Sequence, residues 1–367
     1  MKRLHNYIFL IIYLLIIMLN LHSEESLRLT FAGDIMAHVD NIIVPDYRLL
    51  YKDIKDILLK DDLSFANLEF TIDETREISG YPRFNVHRDY VEAAVESGFN
   101  VFSCANNHIN DFGIYGILQT IRSLEYLKNK WDGKIYFSGL RGNLQRNFLP
   151  EVISIKNRTA FFIAITQFLN RLEVSPYIAV LDYHKKPEVD KFLNYIKKLR
   201  GHADLIVLSF HGGLEYSLKP DKDKKDFFHR AVEAGADIIY SHHPHVPQPY
   251  EIVKYRGVRK LIIYSAGNLI SGMSRSLNLK NPGALINYTG DSALLSVSVS
   301  FKKNGADITK VSTVPVAQIK SRDGYIVVKK IKNLMEQNGK ENRDLRHASY
   351  YKKRFKLINN LLHGRVN

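Results

Sequence analysis

Cysteine is almost absent. Cys104 is the single one among 367 residues, so no intrachain disulfide can brace the fold, and the core alone must carry its stability. It lies in the apolar run Val101 to Ala105 and reads as a buried small side chain. Acidic residues are scarce relative to basic ones, 38 Asp and Glu against 52 Lys and Arg, for a formal charge of +14. Such an excess favours anionic lipid head groups, nucleic acid or a polyanionic polymer as partners, and it speaks to association rather than to fold. A long apolar run is missing too. Tyr7 to Leu19 is almost unbroken apolar sequence, yet it falls short of the ~20 residues of a membrane span. No internal repeat, low-complexity segment or nucleic-acid-binding motif is evident, and with an export signal in place a nucleic-acid partner is not expected.

What is present begins with that export signal. Lys2, Arg3 and His5 form a short basic start, Tyr7 to Leu19 the apolar stretch, and polar residues resume at His22 to Ser26. Residues 1–25 therefore read as a secretory signal peptide or, uncleaved, as an N-terminal membrane anchor, with the body exported in either case. With 45% hydrophobic and 11% aromatic residues, the remainder can bury a large α/β core.

From Leu27 onward, apolar strand runs alternate with helical periodicity. Strands are expected over 27–32, 63–68, 100–105, 134–138, 204–210, 237–240 and 261–265. A hairpin is expected of 151–155 with 159–165, and closing antiparallel strands over 293–301 and 308–315. Helices are expected over 47–60, 89–98, 115–129, 187–200 and 222–234. The body is assigned to 26–317 and a basic, helical C-terminal extension to 318–367. Residues 319–367 carry thirteen Lys and Arg against four Asp and Glu, +9 of the total +14, with apolar residues recurring at Ile326, Val327, Ile331, Leu334, Phe355, Leu357, Leu361 and Leu362.

The chemistry-bearing pattern is the placement of polar residues at strand ends. Asp34, Glu69, Asn107 with His108, His211, and His243 with His245 each follow an expected buried strand. In an open α/β sheet, side chains distant in sequence converge at the carboxyl ends of the strands. Singly, each residue has an ordinary explanation: a turn acid, an exposed loop acid, a turn amide, a satisfied core histidine. Their shared position in one chain argues for a common site. Carboxylates, an amide oxygen and three imidazoles suit a pair of borderline divalent ions (Zn, Mn or Fe), whereas an all-oxygen Mg or Ca site does not use so many histidines.

The ordered set Gly33-Asp34, Asn67-Leu68-Glu69, Ala105-Asn106-Asn107-His108 with Asp111 and Gly113, His211-Gly212-Gly213 with Glu215, Gly235-Ala236-Asp237, His242-His243-Pro244-His245-Val246 and Ser265-Ala266-Gly267-Asn268 resembles the CapA (PGA_cap) capsule-synthesis family over residues 28 to 270. That family is named for poly-γ-glutamate capsule synthesis and is similar to the calcineurin-like metallophosphatases. The resemblance implies a metallophosphatase-like four-layer α/β/β/α sandwich. It also implies a two-metal site in which Asp34 and His245 hold one ion, Asn107, His211 and His243 the other, and Glu69 bridges. His108 would be a general acid or oxyanion donor, with Asp111 orienting it. Met36 stands where the phosphatase pattern has a histidine, so His38 is a candidate substitute ligand. His242 is expected as a neighbour of the ligands, and Glu215 either touches the site or orients His211.

These features lead to an exported protein acting in synthesis or export of a polyanionic capsule polymer, in contact with a capsule synthetase or export complex. Two alternatives stand beside it: a metal-dependent phosphoesterase or other hydrolase at the cell surface, and a non-catalytic polymer-binding scaffold.

Overall fold

Strand by strand, apolar side chains alternate between two destinations, and that alternation builds the layers. The structure is a computed structural model, and it describes residues 26–141, 148–171, 176–273, 278, 280–321, 323–337 and 345–365. The expected export segment, 1–25, lies outside the described residues. In chain order the strands are β1 (Leu27–Met36), β2 (Leu63–Glu69), β3 (Thr71–Ile72), β4 (Asn85–Val86), β5 (Val101–Ser103), β6 (Tyr136–Ser138), β7 (Glu151–Ile155) and β8 (Arg158–Thr166). They continue as β9 (Leu205–His211), β10 (Ile238–His242), β11 (Tyr250–Tyr255), β12 (Val258–Ile263), β13 (Asn268–Ile270), β14 (Asp291–Lys302), β15 (Gly305–Lys320) and β16 (Ile326–Lys330). The longer helices are α1 (Arg88–Glu96), α2 (Gly113–Lys130), α3 (Lys186–Leu199), α4 (Lys222–Ala234), α5 (Ile331–Gln337) and α6 (Leu345–Leu362).

One sheet runs β16-β15-β14-β1-β2-β5-β6 with β13 also paired to β1, and a second runs β11-β12-β10-β9-β8-β7. Leu27, Leu29 and Phe31 of β1 and Leu63 and Phe65 of β2 meet Phe162, Val207, Ile238, Tyr240 and Leu261 in a core between the sheets. The period of two sends the other residues outward. Leu68 and Phe102 pack under Tyr90 and Val91 of α1 and Ile117, Leu124 and Leu127 of α2. On the opposite side Ile163, Leu208, Phe210 and Ile239 pack under Val189, Phe192 and Ile196 of α3 and Phe227, Phe228 and Ala231 of α4. The result is the expected four-layer α/β/β/α sandwich.

Two expectations need correction. The span 47–60 is not one helix. It comprises a 3-10 turn, Tyr47–Leu50, and a one-turn helix, Lys55–Leu58. Between them, Asp53 is pinned from outside, its carboxylate accepting from the Lys330 N–H at 2.7 Å and from Asn333 Nδ2 at 3.0 Å. The C-terminal stretch is not helical from its start either. Ile326 and Val327 lie in β16, antiparallel to β15, and helices follow only from Ile331. Those helices join the sandwich through Ile331, Leu334, Ile358 and Leu362, which pack into the core between the sheets.

Candidate metal centre

All five predicted strand-end groups converge at one end of the sandwich, at the carboxyl ends of parallel strands from both sheets. From the first sheet, β1 brings Asp34 and β2 brings Glu69, in a register that pairs Asp34 with Asn67 and Met36 with Glu69. The loop after β5 brings Asn107 and His108. From the second sheet, β9 ends on His211 paired with His242 at the end of β10, and the next residues are His243 and His245. Asp34, Glu69 and His211 are wholly buried, and Asn107, His108, His243 and His245 nearly so.

The donors are close-set. His245 Nδ1 lies 3.5 Å from Asp34 Oδ2, and its Nε2 lies 3.8 Å from Glu69 Oε1. The same Glu69 oxygen lies 3.8 Å from His211 Nε2. His211 Nε2 in turn is 2.7 Å from Asn107 Oδ1 and 3.2 Å from His243 Nδ1. Asp34, Glu69 and His245 thus form one metal-sized group, Asp34, His211 and His242 a second, and Glu215, His243 and His245 a third. Glu215 therefore touches the site, 3.9 Å from His243. His38 and Cys104 are in none of these groups. The His38 ring packs against Phe84 at 4.9 Å, and Cys104 is buried in the core under the first sheet.

Electrostatically the pocket sets buried carboxylates among buried imidazoles. Burial raises the Glu69 carboxyl well above its usual range, and the adjacent Asp34 charge raises it further. Its Oε1 has no hydrogen-bond partner. Burial also works against the Asp34 carboxylate, but the hydrogen bond from His245 and the charges of His242 and His245 outweigh it and hold Asp34 low. His211 and His243 are pushed well below the usual imidazole value by burial and by neighbouring imidazoles. Burial opposes the charged form of His245 as well, yet Glu69 and Asp34 raise it to about 9. Two neutral imidazoles with available lone pairs, two buried carboxylates and an orphaned carboxylate oxygen are a donor set that fits borderline divalent ions.

Around the donors lies a shell of orienting groups. His108 Nδ1 is 2.8 Å from Asp111 Oδ2, and that carboxylate oxygen also accepts from the Phe84 N–H at 2.9 Å. Sequence reasoning placed Asn67 and Asn268 in its motifs but gave them no role in this shell. Asn67 Nδ2 donates to Asp34 Oδ1 at 2.8 Å, and Asn268 Oδ1 lies 2.9 Å from His245 Nδ1. Asn67 was legible in principle, since a residue two before Glu69 on a strand shares its face. His242 Nδ1 faces His211 Nδ1 at 2.8 Å, and its Nε2 lies 2.8 Å from Ser209 Oγ, so His242 is in contact with the cluster. Lys224 of α4, buried and pushed down to about 7 by that burial, donates to the carbonyls of Gly212 and Tyr264.

Comparison with known proteins follows the same lines. The chain is 29% identical over 286 residues to capsule biosynthesis protein CapA of Bacillus anthracis, covering 73% of this chain and 65% of that relative's length. It is 26% identical over 304 residues to PGA biosynthesis protein CapA of Bacillus subtilis (strain 168), covering 80% of this chain and 73% of that one. Among solved structures it matches a calcineurin-like phosphoesterase from Bacillus subtilis at a TM-score of 0.41 and 10% identity, over 91% of this chain and 97% of that one. Residues 28–273, well over half of the chain and including every predicted donor, match the family described as bacterial capsule synthesis protein PGA_cap, and the chain belongs to that family.

Proposed function

We propose that this chain is an exported protein of capsule synthesis or export that handles a polyanionic polymer of the poly-γ-glutamate type through a dinuclear metal centre. The single observation that carries the metal centre is the orphaned, buried Glu69 Oε1 set 3.8 Å from both His211 Nε2 and His245 Nε2. Asp34 and His245 would hold one ion, Asn107, His211 and His243 the other, and Glu69 would serve both. Divalent ions bound there would supply Lewis acidity toward a carbonyl or phosphoryl oxygen. The protein's own groups do the rest. Were His211 to hold an ion through Nε2, its Nδ1–H would donate to His242 Nδ1 and the His242 Nε2–H to Ser209 Oγ, which would fix both tautomers. Asp111 holds the His108 Nδ1–H and leaves Nε2 to exchange a proton with a bound substrate.

The polymer assignment draws on the family and on the +14 charge. Export draws on the sequence of residues 1–25, and among the described residues no helix is long and apolar enough to cross a membrane. The His108–Asp111 pair beside the donors favours, as a second reading, a metal-dependent hydrolase acting on phosphoesters or glutamyl bonds.

Elemental analysis of the purified chain tests the centre. We expect about two transition-metal ions per chain, falling in Asp34→Ala and in His243→Ala. A chain that takes up no metal after reconstitution refutes the centre and leaves a polymer-binding scaffold. His108→Ala separates catalysis from scaffolding: metal content stays intact while any turnover of phosphoester or glutamyl substrates falls by about 100-fold or more.

A further inference from the structure

We infer that Asn170 is a positioning residue, a clasp from the second sheet that fixes the amide of Asn107 and the ring of His108 toward the metal centre. The inference rests on the reading of Asn107 as a ligand. The segment after β8 makes a short walk between two proposed ligands of one ion. Gln167 donates its N–H to the carbonyl of His211 at 2.8 Å, and its Oε1 accepts from the Gly213 N–H at 2.9 Å. Three residues later, Asn170 donates its N–H to the carbonyl of Asn107 at 3.0 Å. The same few residues therefore register the main chain at His211, on the second sheet, against the main chain at Asn107, on the first.

The side chain of Asn170 then sets the orientation of both neighbours. Its Oδ1 accepts from Asn107 Nδ2 at 2.9 Å. An amide has one oxygen and one nitrogen face, so engaging Nδ2 on one side turns Asn107 Oδ1 to the other, where it stands 2.7 Å from His211 Nε2. A flipped Asn107 would present an NH2 group, which cannot ligate a cation. Asn170 Nδ2 lies 3.2 Å from both ring nitrogens of His108. A nitrogen equidistant from both ring nitrogens lies over the ring face, so the amide packs against the imidazole while Nδ1–H stays on Asp111 and Nε2 stays open to substrate. One exposed amide thus orients a proposed ligand and the proposed proton-exchanging imidazole together.

Calorimetric titration of the full-length chain with Mn2+ tests this, using Asn107→Ala, Asn170→Leu and Asn170→Asp, with melting temperatures to establish folding. Leucine keeps the branched heavy-atom skeleton of asparagine without its polar atoms, whereas aspartate keeps an oxygen where Asn107 Nδ2 donates. We expect Asn107→Ala to lose one ion, Asn170→Leu to bind that ion ~10–100-fold more weakly, and Asn170→Asp to stay within about threefold of wild type. Wild-type affinity in Asn170→Leu overturns the clasp while leaving Asn107 a ligand, and so does an Asn170→Asp as weak as Asn170→Leu. Full stoichiometry in Asn107→Ala overturns the ligand reading and the clasp with it.

Discussion

At the scale of single residues, the centre draws on backbone conformations that most side chains avoid. His243 has φ of 96° and His245 φ of 57°, both in the left-handed region, with Pro244 between them. This kinked turn brings the two imidazoles together with ring centroids 5.6 Å apart. Residues held there cost of order 1–3 kcal/mol each, and such costs gather at functional sites. A prediction follows for position 243. His243→Gly and His243→Ala both remove the imidazole, but glycine takes φ of 96° without penalty. In metal-free protein His243→Gly should be more stable than His243→Ala by ~1 kcal/mol, read from denaturant midpoints. Equal midpoints would show that the turn is relaxed. The sequence displayed the ionisable members of this site because Asp, Glu and His stand out at the ends of apolar runs. It concealed Asn170, whose neutral amide sits in an ordinary-looking loop and acts only through partners that the fold brings to it. His242 was legible as a neighbour, but its contact with His211 depends on the pairing of β9 with β10.

At the scale of elements, strands with a clear apolar run were legible, the three-residue β5 and β6 among them, while β11, β13 and β16 were not. The alternation in β1, β2, β8, β9 and β10 reads directly as two buried faces. β13 has three residues, and nothing in Asn268–Ile270 alone announces that it pairs in parallel with β1 at Asp34. The helix expected over 47–60 failed for the complementary reason. Its apolar spacing is helical, but Asp53 in its middle is held by Lys330 and Asn333, partners far along the chain. The β1–β13 junction depends on one glycine. A Cβ on Gly33 would collide with the Gly267 carbonyl oxygen, the same oxygen that accepts from the Asp34 N–H at 3.0 Å. Gly33→Ala should therefore destabilise the chain by ~1–3 kcal/mol, as overpacking does, and displace Asp34. Equilibrium unfolding gives the first effect, and weaker metal uptake than wild type the second. A variant with wild-type stability and uptake would mean that the junction yields freely.

At the scale of the whole molecule, the two sheets are tied at both ends, and the ties differ in kind. At the carboxyl end of the parallel strands the tie is the donor cluster, to which each sheet contributes. At the opposite end it is an ion cluster: Asp307 of β15 accepts from Arg259 of β12 through the backbone N–H at 2.8 Å, Nε at 3.1 Å and Nη2 at 3.0 Å, while Lys302 Nζ of β14 lies 2.6 Å away. The hydrogen bonds from Arg259, ahead of the opposing effect of burial and with help from Lys302, hold the Asp307 carboxyl well below the usual range. A depressed folded-state pKa sets the sign. The stabilisation is fully present above the unfolded carboxylate value of ~3.9 and is lost as pH falls through it toward the folded value. Asp307→Asn should then be less stable than wild type by about 2 kcal/mol at pH 7, with the gap closing between about pH 5 and pH 2. Paired urea titrations across that range measure it. A gap that stays constant with pH would assign the loss to packing at the sheet ends, whereas a closing gap, in protein kept free of metal, assigns it to the charge that joins β15 to β12. The metal-side tie answers to a different variable. Added Mn2+ should raise the melting temperature of wild type and of Asp307→Asn alike, since ligand binding to the folded state adds its own increment. In Asp34→Ala that increment should shrink while the acid-sensitive one persists. Independent behaviour of the two increments is what a sandwich closed at opposite ends requires, because residues so far apart, with no shared partner, contribute additively.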